Sequence, residues 1–212
     1  MTKKRKPYTL TPEDYMSREE RKQLIKTCQE RAELDLMKGR KAWPVRWMLV
    51  DLALFSGMRV AEMAALKIGD INLNSKTDPH LIVRNGKGNK KRAVWFDKEL
   101  AKHLKQFISY KAKVLQQSIE PDAPLLDGRS GQHSTINTLQ KSFKEAINAA
   151  GLRNKLSIHS ARHTYATFLL KDSGNLRYVQ QQLGHSNISM TSIYASILPE
   201  ENGKLANMIS RD

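Results

Sequence analysis

Apolar residues recur along most of this chain at three- and four-residue intervals, the spacing that lines one face of an α-helix. Ser17 and Glu20 make a capping box, and Leu24, Ile25, Cys28, Ala32 and Leu36 follow at helical spacing. A second helix is predicted after Pro44, where Val45, Met48, Leu49, Leu52 and Leu54 leave most of the surface apolar until Ser56 and Gly57. A third begins at about Arg59, with Val60, Met63, Ala64 and Leu66 as its buried stripe. Between about 70 and 96 the period changes, and DINL, HLIV and RAVWF read as short strands. The Asn-Gly and Gly-Asn pairs of NGKGNK predict a hairpin turn between the last two. Helical patterning returns over about 97–116, 132–150, 159–172, 175–183 and 188–194, punctuated by Gly128, Gly131, Gly151, Gly174 and Gly184. The predicted fold is mostly α with a small antiparallel β-sheet inserted early (α+β). Residues 1–16, basic, polar and carrying Pro7 and Pro12, read as a tail.

Composition narrows the class. With 40% hydrophobic and 27% charged residues, the 212-residue chain is globular, and it is long enough for one good-sized core. Lys and Arg number 36 against 21 acids, a net charge of +15. That excess draws polyanions, nucleic acid first and an anionic membrane surface second, although a solvated basic surface has the same composition. One cysteine, Cys28, precludes an intrachain disulfide, fits a reducing compartment and reads as a buried thiol. The charged start MTKKRKP lacks a following apolar region, and no stretch approaches 18 apolar residues. A cytoplasmic protein is expected.

Candidate chemistry is spread over four segments. Arg59 follows a glycine turn and opens a helix, where a planar guanidinium can meet a phosphate; alone it equally suits a surface arginine paired with Glu62. The hairpin segment RNGKGNKKR carries Arg84, Lys87, Lys90, Lys91 and Arg92 with no acid. It suits a nucleic-acid backbone or a minor groove, or simply a solvated face. Its glycines do not have the spacing of a phosphate-binding P-loop. His159 and Arg162 lie at i and i+3 on one helical face, and His163 points elsewhere, as a core or supporting histidine. His159 and His163 resemble a zinc pair in spacing only: Ser160 stands where HExxH needs glutamate, so no metal site is expected. His185 lies at a helix end, and Tyr194 follows nine residues later. A lone tyrosine there reads as packing. A phenol titrating near pH 10 becomes a nucleophile only beside cations or a base, which Arg59, Lys87, Arg162 and the two histidines supply if they converge. No carboxylate triad suited to a two-metal nuclease is evident.

These segments, in this order, resemble the catalytic domain of the tyrosine recombinase and phage integrase family, in Xer-like or mobile-element forms. FSGMRVAEMAALKIGDI is similar to the family's first-arginine box, with Arg59 catalytic and Glu62 its helper acid. VRNGKGNKKRAVWF resembles the β-hairpin bearing the catalytic lysine, Lys87. HSARHTYATFLL resembles the HxxR box, giving His159 and Arg162. LRYVQQQLGHSNISMTSIY resembles the closing segment, with His185 at the His/Trp position and Tyr194 as nucleophile. The resemblance spans about residues 17–198 and departs at Ala161, where leucine is usual.

The resemblance implies a site-specific DNA recombinase that needs neither metal nor ATP. Tyr194 attacks a phosphate of duplex DNA, forms a 3′-phosphotyrosyl link and releases a 5′-hydroxyl. Arg59 and Arg162 hold the non-bridging oxygens and His185 donates to one of them. Lys87 protonates the leaving oxygen, and His159 assists proton transfer. A partner strand's 5′-hydroxyl then reverses the step, and four protomers complete exchange. The alternatives are a type IB-like topoisomerase or resolvase, or a non-catalytic DNA-binding regulator. The expected partners are double-stranded DNA and further copies of the chain. Residues 199–212, with Leu205, Met208 and Ile209 on one side, are expected to exchange between protomers, or else to pack at home. The family's N-terminal core-binding domain has no counterpart here, which fits a minimal recombinase, a fragment, or a partner that supplies the clamp.

Overall fold

The second predicted helix, apolar on nearly every side, forms the centre of the structure. The computed structural model describes residues 10–73, 78–84, 91–185, 191, 193 and 194. Its helices are α1 (Arg18–Met37), α2 (Ala42–Ser56), α3 (Val60–Ala64), α4 (Lys98–Tyr110), α5 (Ile136–Ala149), α6 (Ile158–Ser173) and α7 (Leu176–Leu183). α1, α4, α5 and α6 all pack on α2, whose Met48, Leu49, Val50, Leu52, Ala53 and Leu54 are closed to solvent. A helix apolar all round has no other stable place.

α1 starts where its cap predicts: Ser17 Oγ accepts from the Glu20 amide at 3.1 Å and Glu20 Oε2 accepts from the Ser17 amide at 2.8 Å. Leu24, Cys28 and Ala32 form its buried stripe, whereas Leu36, expected in that stripe, is 49% exposed. Burial pushes the Cys28 thiol up to about 12, with the Asp51 charge adding to it, so the thiol is unreactive.

The sheet has three antiparallel strands in the order β1 (Ile71–Asn72), β2 (His80–Val83), β3 (Arg92–Trp95). Leu81 pairs with Val94 and Val83 with Arg92, which turns Leu81, Val83 and Val94 onto the core. The predicted turn at 85–90, with Lys87 and Lys90, lies outside the described residues. So does residue segment 199–212.

Two predicted helices are shorter than the pattern suggests. The stretch 97–116 changes at Tyr110 into one π-helical turn, Lys111–Leu115, where the fully buried Lys111 pairs with Asp127. The stretch 132–150 becomes helical only at Ile136, after the Thr135 cap, because Arg129–Gly131 forms a separate turn with Ser130 at positive φ. α6 and α7 fall close to their predicted limits. Of the predicted helix 188–194, Ile193 and Tyr194 lie in a 3₁₀ turn.

A second, smaller apolar cluster joins Ala166 and Leu170 of α6, Val179 and Leu183 of α7, Leu10 and Tyr194. Residues 10–16, expected within the tail, pack on the domain: Leu10 and Met16 are buried, and the Met16 amide donates to Thr164 Oγ1 at 2.9 Å.

Candidate active site

The turn after α2 brings the first arginine to the site. Gly57 ends the helix at φ +60°, and a Cβ there would run into the Tyr165 ring, so glycine is required twice over. Two residues on, Arg59 caps α3. Glu62 Oε2 accepts from the Arg59 amide at 2.8 Å and Oε1 from its guanidinium at 3.0 Å. The same carboxylate takes a bidentate pair from Arg92 of β3, at 2.9 and 2.8 Å. Burial by itself would raise the Glu62 carboxyl. The Arg92 hydrogen bonds, the Arg59 amide and the Arg92 and Arg162 charges outweigh it and hold the group below the usual carboxylate range.

α6 supplies the second arginine from inside the molecule. Arg162, 8% exposed, donates from Nη1 to the Gly57 carbonyl and from Nη2 to the Leu183 carbonyl at 2.8 Å. Nη2 also lies 3.1 Å from His185 Nε2. Burial, then the neighbouring Arg59 charge, lowers its pKa to about 10, and it stays charged at neutral pH.

His185 follows Gly184, whose φ of +65° closes α7. Burial, followed by the charges of Arg162, Arg59 and Arg92, pushes the imidazole down to about 4, so it is neutral at pH 7. A neutral ring facing an Arg162 N–H must present the Nε2 lone pair, which assigns the proton to Nδ1. Nδ1 then donates to Thr191 Oγ1 at 2.8 Å. Thr191 also accepts the Tyr194 amide on its carbonyl at 3.0 Å, linking the turn that bears Tyr194 to His185.

Tyr194 is 2% exposed, and its hydroxyl lies 2.8 Å from His163 Nδ1. Burial, then the charge of His159, lowers the His163 pKa below the usual imidazole value. It is therefore neutral at pH 7, with a lone pair able to take the phenolic proton.

Two bonded groups thus stand side by side: Glu62 with Arg59 and Arg92, and Arg162 with His185, whose Thr191 partner leads to Tyr194 and His163. Other predicted site residues stand outside these hydrogen bonds. His159 is exposed on α6. Arg84, expected on DNA, pairs with the buried Asp70. Arg92, expected on the same outer face, turns inward: its side chain is 12% exposed and serves Glu62. Lys91 is exposed. Lys87 and Lys90 lie outside the described residues. Sequence reasoning did not single out Thr191 or Gln182, neither of which sits in a charged motif. It ranked His163 below His159 because spacing alone does not say which histidine faces the tyrosine. Among the described residues no three His, Cys, Asp or Glu side chains cluster as metal ligands.

The phage integrase family model matches residues 14–201. The tyrosine recombinase XerC of Lactobacillus leichmannii is 32% identical over 150 residues, covering 70% of this chain and 49% of the relative. The XerC of Vibrio cholerae serotype O1 is 31% identical over 149 residues, covering 70% and 46%. The chain therefore spans about half the length of these curated relatives. The crystal structure of XerA recombinase superposes with a TM-score of 0.72 at 26% identity, over 98% of this chain and 68% of that one. With the family model spanning nearly the whole fold, and Arg59, Arg162, His185 and Tyr194 all falling within it, the chain belongs to the phage integrase family.

Proposed function

We propose that this chain is the catalytic part of a site-specific DNA recombinase that cleaves and rejoins duplex DNA through a 3′-phosphotyrosyl intermediate. The observation that carries the reading is the Tyr194 hydroxyl at 2.8 Å from a neutral imidazole, linked through Thr191 and His185 to the buried Arg162. The tyrosine recombinase relatives support DNA as the substrate.

His163 Nδ1 accepts the phenolic proton as the Tyr194 oxygen forms its bond to phosphorus. The phosphorus–5′-oxygen bond breaks, and that oxygen takes a proton from Lys87, the family's catalytic lysine. Arg59 and Arg162 offset the charge on the non-bridging oxygens. His185 contributes a hydrogen bond from Nε2 after a tautomer change, which the Thr191 hydroxyl permits because it both donates and accepts. Tyr194 has almost no open surface, so its turn moves toward the arginines for in-line attack. Lys90 and Lys91 add attraction for the DNA backbone. Domain 17–198 performs the chemistry, and segment 199–212 docks its apolar side on a neighbouring protomer.

The test uses nicked duplexes of randomised sequence in EDTA, so no target site need be known. Wild type should give a denaturant-resistant protein–DNA adduct and Tyr194→Phe none. An adduct that survives the substitution would sink the nucleophile assignment, and no wild-type adduct from the pool would sink the reading.

A further inference from the structure

We propose that Arg92 is a positioning residue that sets the spacing between the two phosphate-binding arginines. The inference rests on the recombinase reading above, and its evidence is separate from the catalytic motifs. Arg92 stands on β3, away from both arginine boxes, yet all three nitrogens of its guanidinium donate inside the site. Nη1 and Nη2 donate to the two oxygens of Glu62 at 2.9 and 2.8 Å, and Nε donates to the Gln182 carbonyl at 3.1 Å. Each partner leads to a different catalytic group. Glu62 holds Arg59 by its amide and guanidinium. Gln182 precedes Leu183, whose carbonyl holds Arg162, and is three residues before His185. Gln182 is itself fixed by Trp95 of β3, whose amide donates to Gln182 Oε1 at 3.1 Å.

Arg92 is therefore a strut between the carboxylate that aims Arg59 and the helix end that aims Arg162 and His185. A planar fork with three committed donors can hold both sides at a fixed separation; lysine, a single-point cation on a flexible stem, cannot. Through these three acceptors Arg92 acts on Arg59 and Arg162 as a positioning residue. Position 92 is also closed from above. A Cβ on Gly184 would lie 2.8 Å from Arg92 Cδ and Nε, so the α7 C-terminus rests directly on the guanidinium stem.

Arg92→Met and Arg92→Lys would be compared with wild type on a duplex recovered from the randomised pool, carrying either a normal phosphate or a neutral methylphosphonate at the scissile position. Misplaced arginines matter when charge must be neutralised, so both variants should lose about 100-fold in cleavage rate on phosphate. On methylphosphonate, where that charge is gone, the loss should shrink to a few-fold. A general weakening of the fold would lower both rates alike. Equal losses on the two substrates, or no loss on phosphate, would overturn the inference while leaving the recombinase reading intact. Failure of wild type to react with any duplex would remove the recombinase reading and this inference with it. Amide hydrogen exchange guards against misfolding: β3 and the end of α7 should open faster in Arg92→Met while α2 keeps wild-type protection. Unchanged exchange at β3 and α7, or lost protection in α2, counts against a local strut.

Discussion

Two histidines one turn apart on α6 divide between the interior and the solvent, and the division decides their chemistry. His163 faces the Tyr194 hydroxyl, whereas His159 is exposed. His163→Ala should therefore slow adduct formation by about 100-fold or more, the usual loss for a proton acceptor. His159→Ala should cost less, and single-turnover rates on the same nicked duplex compare the two. A larger loss at His159 would return the proton-accepting role to it. Arg59, Glu62, Arg162, His185 and Tyr194 were legible in the sequence because each sits in a compact, ordered motif. The partners of Arg84 and Arg92 were not. A run of basic residues without acids reads as a solvated or DNA-facing surface, but its neutralising carboxylates stand 14 and 30 residues earlier, at Asp70 and Glu62. Thr191 was invisible for another reason, since a hydroxyl that only serves a histidine leaves no charge pattern.

Among the elements, the turn between α2 and α3 bears the tightest geometric demand. It must reverse after an apolar helix, deliver Arg59 two residues later and offer the Gly57 carbonyl to Arg162. Gly57→Ala puts a side chain at φ +60° and against the Tyr165 ring, and should cost about 2–4 kcal/mol. The midpoint of urea unfolding measures it; a shift below about 1 kcal/mol would show that the Tyr165 ring gives way freely. Helices were legible where caps and a single period agreed, as at Ser17 for α1 and across α6. They misled where a tertiary pair intervened. Continuous helix through Lys111 would be natural on pattern alone, but the buried Lys111–Asp127 pair accompanies a change of winding. Gly128 and Gly131 marked a turn that the apolar period of 132–150 masked.

At the scale of the molecule, a large core around α2 supports a smaller cluster that seats Tyr194. Tyr194 shares that cluster with Leu10, 184 positions away in sequence by subtraction of their numbers, so the N-terminal segment helps to form the seat. Leu10→Ala should lower stability by about 2 kcal/mol and slow adduct formation as well. Denaturant unfolding and the nicked-duplex rate test both, and an unchanged cleavage rate would show that the seat does not depend on this arm. Hydrophobic period could not reveal that arrangement, because a segment with two prolines and many charges carries no helical face. The close fit of Gly184 on Arg92 has a consequence for how such a chain can change over time. Positions 62, 92 and 184 are coupled: any side chain at 184 displaces the guanidinium below it, and a displaced guanidinium leaves the buried Glu62 carboxylate to Arg59 alone. A change at one of the three therefore alters what the chain tolerates at the other two.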